Sequence, residues 1–108
     1  MRGVTLSVLL FIALFASENN STLSGEKLFK SYCWGCHHPT AEAFGPSFAT
    51  IASKRSEAEI MAMIATPAKT SKQLGYKRNS MPSFSDLSID EIKTLAQYVL
   101  QFKDAKEN

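Results

Sequence analysis

Apolar positions recur along this chain at helical spacing, and they divide it into three helical stretches joined by irregular ones. In the first, Leu28, Phe29 and Tyr32 lie one, three and four apart and form one face. Ser24 stands where an N-cap belongs, and Leu23 is placed to staple onto Leu28. Gly35 and Pro39 end this helix within Cys33 to Cys36. The second helix opens on a Ser56/Glu59 capping box, carries Ile60, Met61 and Ile64 as its stripe, and stops near Thr66 before Pro67. The third opens on a Ser88/Glu91 capping box with Leu87 and Ile92 at the staple positions. Its stripe is Ile89, Ile92, Leu95, Ala96, Val99 and Phe102, while Lys93, Gln97, Gln101 and Asp104 face water. Between the helices, residues 38–55 read as a loop with Phe44, Phe48 and Ile51 turned inward, and residues 67–87 as a second irregular segment. No stretch alternates with the period of a strand. The pattern predicts an all-α fold.

The chain's first residues stand apart from this pattern. Met1-Arg2 followed by the apolar run Val4 to Ala16 has the basic and apolar regions of a signal peptide. Its 13 residues fall short of the roughly 20 that span a bilayer. We expect a signal peptide over 1–17 with cleavage after Ala16 or Ser17, a retained N-terminal anchor being the alternative. A flexible leader over 18–22 and a single domain over 23–105 follow. Removing residues 1–17 leaves 11 Lys plus Arg against 10 acidic residues, a balance that gives no support to general nucleic-acid binding. A mature chain of about 90 residues builds only a small core. Its two cysteines are three positions apart, and closing so short a loop restrains the unfolded chain little. A large apolar cofactor would supply core more effectively.

Cys33-Trp34-Gly35-Cys36-His37 names that cofactor: Cys-x-x-Cys-His is the attachment motif of c-type haem. Two thiols reach the vinyl-derived positions along one haem edge, and the imidazole that follows becomes an axial ligand of the iron. A thioredoxin-like redox pair would need a strand before it and a parallel sheet around it. A structural zinc site would need four convergent ligands, and the only Cys and His residues are Cys33, Cys36, His37 and His38. The second axial ligand must come from elsewhere, and a Met thioether is the best remaining donor. Met61 sits on a regular helical stripe and Met63 on its flank, where Met is ordinary filler. Met81 lies in an irregular segment between Ser80 and Pro82, so the backbone aims it, and it is the residue chosen.

These residues resemble a class I c-type cytochrome of the small bacterial kind, over roughly residues 23 to 103. The resemblance implies a cytochrome c fold of three main helices and irregular loops around one covalently attached haem c. It implies that Cys33 and Cys36 form the thioethers, that His37 and Met81 bind the iron, and that the Pro46 carbonyl accepts a hydrogen bond from His37. Gly25 and Phe29 resemble the small-plus-aromatic pair of the first helix, and Leu95 with Tyr98 the pair they meet on the last. One departure is that Lys77 to Pro82 is polar without the acidic character of a particular partner-facing subclass.

The expected function is single-electron transfer in the periplasm, with no enzymatic activity. Phe44, Phe48, Ile51, Ile60, Ile64 and Phe84 are the expected haem pocket, while Trp34 either covers haem or lies exposed. Lys69, Lys72, Lys77 and Arg78 form the one local excess of positive charge and are expected to steer an acidic redox partner. Two other classes stay open: the small haem subunit of a larger oxidoreductase, and a haem enzyme or gas sensor, which needs an open distal position.

Overall fold

Hydroxyl side chains mark where the helices begin. The computed structural model describes residues 24–107; the apolar N-terminal run, the leader and Leu23 of the expected staple lie outside the described residues. Helix α1 (Gly25–Tyr32) starts on Ser24, whose Oγ accepts the Lys27 N–H. Helix α2 (Phe48–Lys54) starts on Ser47, which accepts from Thr50. Helices α3 (Glu57–Ala65) and α5 (Ile89–Leu100) both open on complete capping boxes, Ser56/Glu59 and Ser88/Glu91. Each such cap satisfies an otherwise orphaned N–H and is worth about 1 kcal/mol. Helix α4 (Pro67–Gln73) has no side-chain cap and starts instead on proline at N1. No strand occurs among the described residues.

Two of these helices correct the sequence reading, which left 38–55 and 67–87 irregular. Gly45-Pro46 interrupts the chain only up to Ser47, where a cap starts seven residues of α2 that bury Phe48, Ala49 and Ala52. Pro67 does end α3, but its fixed φ also suits the first position of a new helix, so α4 begins at the same residue. A third correction concerns Ile89, which is 74% exposed while Ile92 is 5%. The buried stripe of α5 therefore starts one turn late, and Leu87 before the cap packs on the core instead.

Helix α5 is the hub, packing against α1, α2 and α3. Leu28, Phe29, Ile60, Ile64, Leu95, Ala96 and Val99 join in one buried cluster. Where α1 meets α5, Gly25 lies against Tyr98 so closely that an added Cβ would stand 2.6 Å from Tyr98 Cβ. One turn on, the rings of Phe29 and Tyr98 stack with centroids 5.6 Å apart. Phe29 also meets Phe48 edge-on at 5.1 Å, which ties α2 to the same crossing. Contacts of this kind add about 0.5–1.5 kcal/mol each beyond area burial.

The segment after α4 is fastened to the end of α3. Ser83 Oγ donates to the Ala65 carbonyl at 2.7 Å, and the Phe84 N–H donates to the Ile64 carbonyl at 3.0 Å. Both acceptors belong to the last turn of a helix, whose carbonyls lack intrahelical donors. At the C-terminus Glu107 folds back on the start of α2, accepting from Ser47 Oγ at 2.7 Å and from Thr50 Oγ1.

Candidate cofactor site

The five-residue motif forms one tight turn that closes α1. The Cys33 and Trp34 N–H groups both donate to the Phe29 carbonyl, at 2.8 and 3.0 Å. The Cys33 carbonyl then accepts from Cys36 at 3.1 Å and from His37 at 2.9 Å. This brings Cys33, Cys36 and His37 to the wall of one cleft of about 400 Å³. Burial, and then the neighbouring Cys36, push the Cys33 thiol up to about 11. A thiol so raised stays neutral near pH 7 and makes a poor exchange nucleophile, unlike the lowered thiols of disulfide oxidoreductases.

His37 is oriented from three directions. Its Nδ1 lies 2.7 Å from the Pro46 carbonyl oxygen. A carbonyl can only accept, so Nδ1 is the nitrogen that carries a proton here, and Nε2 is the one left to face a metal. The Phe48 ring stacks on the imidazole at 5.6 Å. Gly45 lies against it, held there by donation of its N–H to the Cys36 carbonyl at 2.7 Å. A Cβ on Gly45 would stand 2.5 Å from His37 Cε1. His38, by contrast, accepts the Thr40 N–H on Nδ1 and does not line the cleft.

Met81 lines the same cleft as His37, and so does Met63, while Met61 packs on the helical core. Asn79 clasps the Met81 backbone, with Oδ1 accepting its N–H at 3.2 Å and Nδ2 donating to its carbonyl at 3.3 Å. All six residues expected to form the pocket line the cleft. Phe44 does so from the rim, however, and is 87% exposed rather than turned inward. The turn that lays Gly45 on the imidazole directs the preceding side chain outward. Trp34 does not line this cleft; it is 57% exposed and meets Phe29 edge-on. Lys69, Lys72, Lys77 and Arg78 are all exposed, and Arg78 alone of the four lines the cleft.

Gly45, Asn79 and Ser83 were missed by sequence reasoning. Asn79 had a local signal, since Asn two residues before a fixed backbone group commonly closes a turn onto it. Gly45 had none beyond its place before Pro46, because its contact with His37 is tertiary.

Comparison with known proteins shows the family. The family described as cytochrome c oxidase, cbb3-type, subunit III matches residues 20–99. Cytochrome c6 of Cyanidium caldarium is 33% identical over 96 residues, covering 85% of this chain and 84% of the relative. The chain belongs to the c-type cytochromes. A cytochrome c from Rhodothermus marinus shares the fold, with a TM-score of 0.58 over 76% of each chain at 22% identity. Cytochromes of this family are electron carriers with covalently bound haem c. The residues of the cleft fit that group: two thiols, a preset imidazole, thioethers and apolar walls for a flat macrocycle. Arg55 on the cleft wall has a buried Nε with no hydrogen-bond partner, a donor that suits an acidic group. No helix among the described residues is long and apolar enough to cross a membrane.

Proposed function

We propose that this cytochrome is a periplasmic electron shuttle in which His37 and Met81 would hold the haem iron and Cys33 and Cys36 would form the thioethers. The observation that carries the reading is the His37 Nδ1 contact with Pro46 in a cleft that Met81 also lines. Haem supplies the one-electron couple when bound.

The protein's part is to hold its ligands still and keep water out. Pro46 fixes the imidazole's tautomer and raises its basicity. Asn79 and the Ser83 and Phe84 anchors hold the backbone on either side of Met81. A thioether ligand favours reduced iron and raises the potential. Ile60, Ile64, Phe84, Leu95 and Val99 give the cleft a low dielectric. Lys69, Lys72, Lys77 and Arg78 attract an acidic redox partner and speed encounter. Export to the periplasm is supported by the apolar run near the N-terminus.

Optical spectra of the oxidised and reduced holoprotein test the ligand assignment. The oxidised form is expected to show the weak long-wavelength charge-transfer band of sulfur-ligated ferric haem. Met81→Leu abolishes that band and Met63→Leu leaves it. Fast carbon monoxide binding to the reduced wild type, or porphyrin that extracts into acidified organic solvent, overturns the assignment.

A second reading is favoured by one observation, the description of the matching family as an oxidase subunit. In it the chain is the haem subunit of a larger oxidoreductase. Co-purification of the native protein in a stable large assembly would select it over a free carrier.

A further inference from the structure

The chain beyond α5 returns to the two groups that orient His37. Phe102 sets its ring against Tyr98, with centroids 5.3 Å apart, and against Phe48 at 6.2 Å. Phe48 is the ring that stacks on the imidazole. Further on, Glu107 Oε1 accepts from Ser47 Oγ at 2.7 Å and from the Thr50 hydroxyl. Ser47 follows Pro46, so one peptide group joins its backbone to the carbonyl that His37 Nδ1 meets at 2.7 Å. Ser47 is 1% exposed, and its Oγ also accepts the Thr50 N–H at 3.1 Å as the cap of α2. Its hydroxyl has one proton to give, and Thr50 Oγ1, also at 3.1 Å, competes with Glu107 for it.

The last residues of a domain are loose unless something ties them down. Here the tie ends on the residue next to the imidazole's acceptor. A hydrogen bond to a carboxylate is roughly twice as strong as one between neutral groups. Glu107 therefore wins the Ser47 proton and fixes that side chain's rotamer. We infer that Glu107 is a positioning residue for His37: by clamping Ser47 it holds the Pro46–Ser47 peptide and keeps the Pro46 carbonyl aimed at Nδ1. The acceptor behind a ligating imidazole sets its orientation and its basicity. Phe102 braces the second support, Phe48, so the same C-terminal segment touches both. The negative charge of Glu107 acts in the same sense, because it favours the more positive oxidised haem. This rests on the haem reading above and gives residues outside the attachment motif and the cleft wall a part in tuning the iron's ligand.

The test uses ¹⁵N-labelled holoprotein and two variants. Glu107→Ala removes both acceptor and charge, whereas Glu107→Gln keeps an acceptor and loses the charge. The side chain is exposed, so neither variant opens a cavity in the core. Reduced wild type is expected to hold the His37 Nδ1–H in slow exchange with solvent. In Glu107→Ala that exchange speeds up several-fold and the signal moves upfield, as a weaker hydrogen bond requires. The midpoint potential rises with it, since a less basic imidazole and a missing negative charge both disfavour the oxidised form. The reduction equilibrium is expected to shift about twofold, which is ~18 mV for one electron. Glu107→Gln keeps most of the slow exchange and shows a smaller rise. A merely structural tie would lower the melting temperature of Glu107→Ala and leave exchange rate and potential unmoved. That result, in fully haem-loaded protein, overturns this inference alone. A raised potential with unchanged His37 exchange is the bare charge acting at a distance, and it overturns the clamp. Absence of covalent haem overturns the proposed function and this role with it.

Discussion

Gly45 packs directly on the His37 imidazole, at a separation that admits no side chain. Alanine there would place a Cβ 2.5 Å from Cε1 of a ring already fixed by Pro46 and Phe48. Gly45→Ala is expected to destabilise the holoprotein by about 1–3 kcal/mol, the usual range for overpacking. Denaturant unfolding measures this, and an unchanged midpoint would show that the ring can shift freely.

Gly25→Ala meets a different obstacle. The atom 2.6 Å from its added Cβ is Tyr98 Cβ, the root of a side chain, so relief requires the helices to separate. A loss of about 1–3 kcal/mol is expected from this strain as well. The potential is expected to stay near wild type, because neither Gly25 nor Tyr98 lines the cleft. A normal melting temperature in Gly25→Ala would contradict the close approach of α1 and α5.

Asn79→Ala removes both hydrogen bonds that clasp Met81. Each exposed bond contributes at the low end of about 0.5–1.5 kcal/mol, so stability falls by roughly 1 kcal/mol. The sharper effect is on the distal side: reduced Asn79→Ala should bind carbon monoxide faster than wild type. Asn79→Asp, which keeps the acceptor for the Met81 N–H, should recover part of the difference. Identical binding rates in all three proteins would remove Asn79 from the ligand's support.

Lys77→Glu is expected to slow electron transfer with an acidic partner and to flatten the dependence of rate on ionic strength. Stopped-flow rates measured over a salt series provide the check. An unaltered slope would assign this basic segment to solvent.

Glu107 gives the protein an acid-sensitive tie. The Thr50 hydroxyl first, and then that of Ser47, hold its carboxyl below the ordinary value of 4.5. A depressed folded-state value means that the tie's contribution is complete above 4.5 and disappears as pH falls through the folded value. Glu107→Gln should therefore be less stable than wild type near neutrality and converge with it in acid. Parallel curves over that range, read by urea unfolding, would count against the tie.

Features of the chain that depend on neighbours three or four residues away were legible in advance. The caps at Ser24, Ser56 and Ser88, the attachment motif, and the buried part of the α5 stripe are all of this kind. The two missed helices are short and each begins beside a proline, so a residue that permits a helix start was read as a break. Ser47 was nonetheless a visible cap. Contacts such as Arg55 with Tyr76, 21 positions apart, follow from how α2 and the post-α4 segment come together and leave no periodic trace.

The cleft draws its walls from α1, α2, α3, α5 and the segment carrying Met81, so the interior is divided between them. A polypeptide that has not received its prosthetic group therefore has a hollow where other small proteins have their densest contacts. Such a chain opens readily and is cleared by proteases in proportion to its open population.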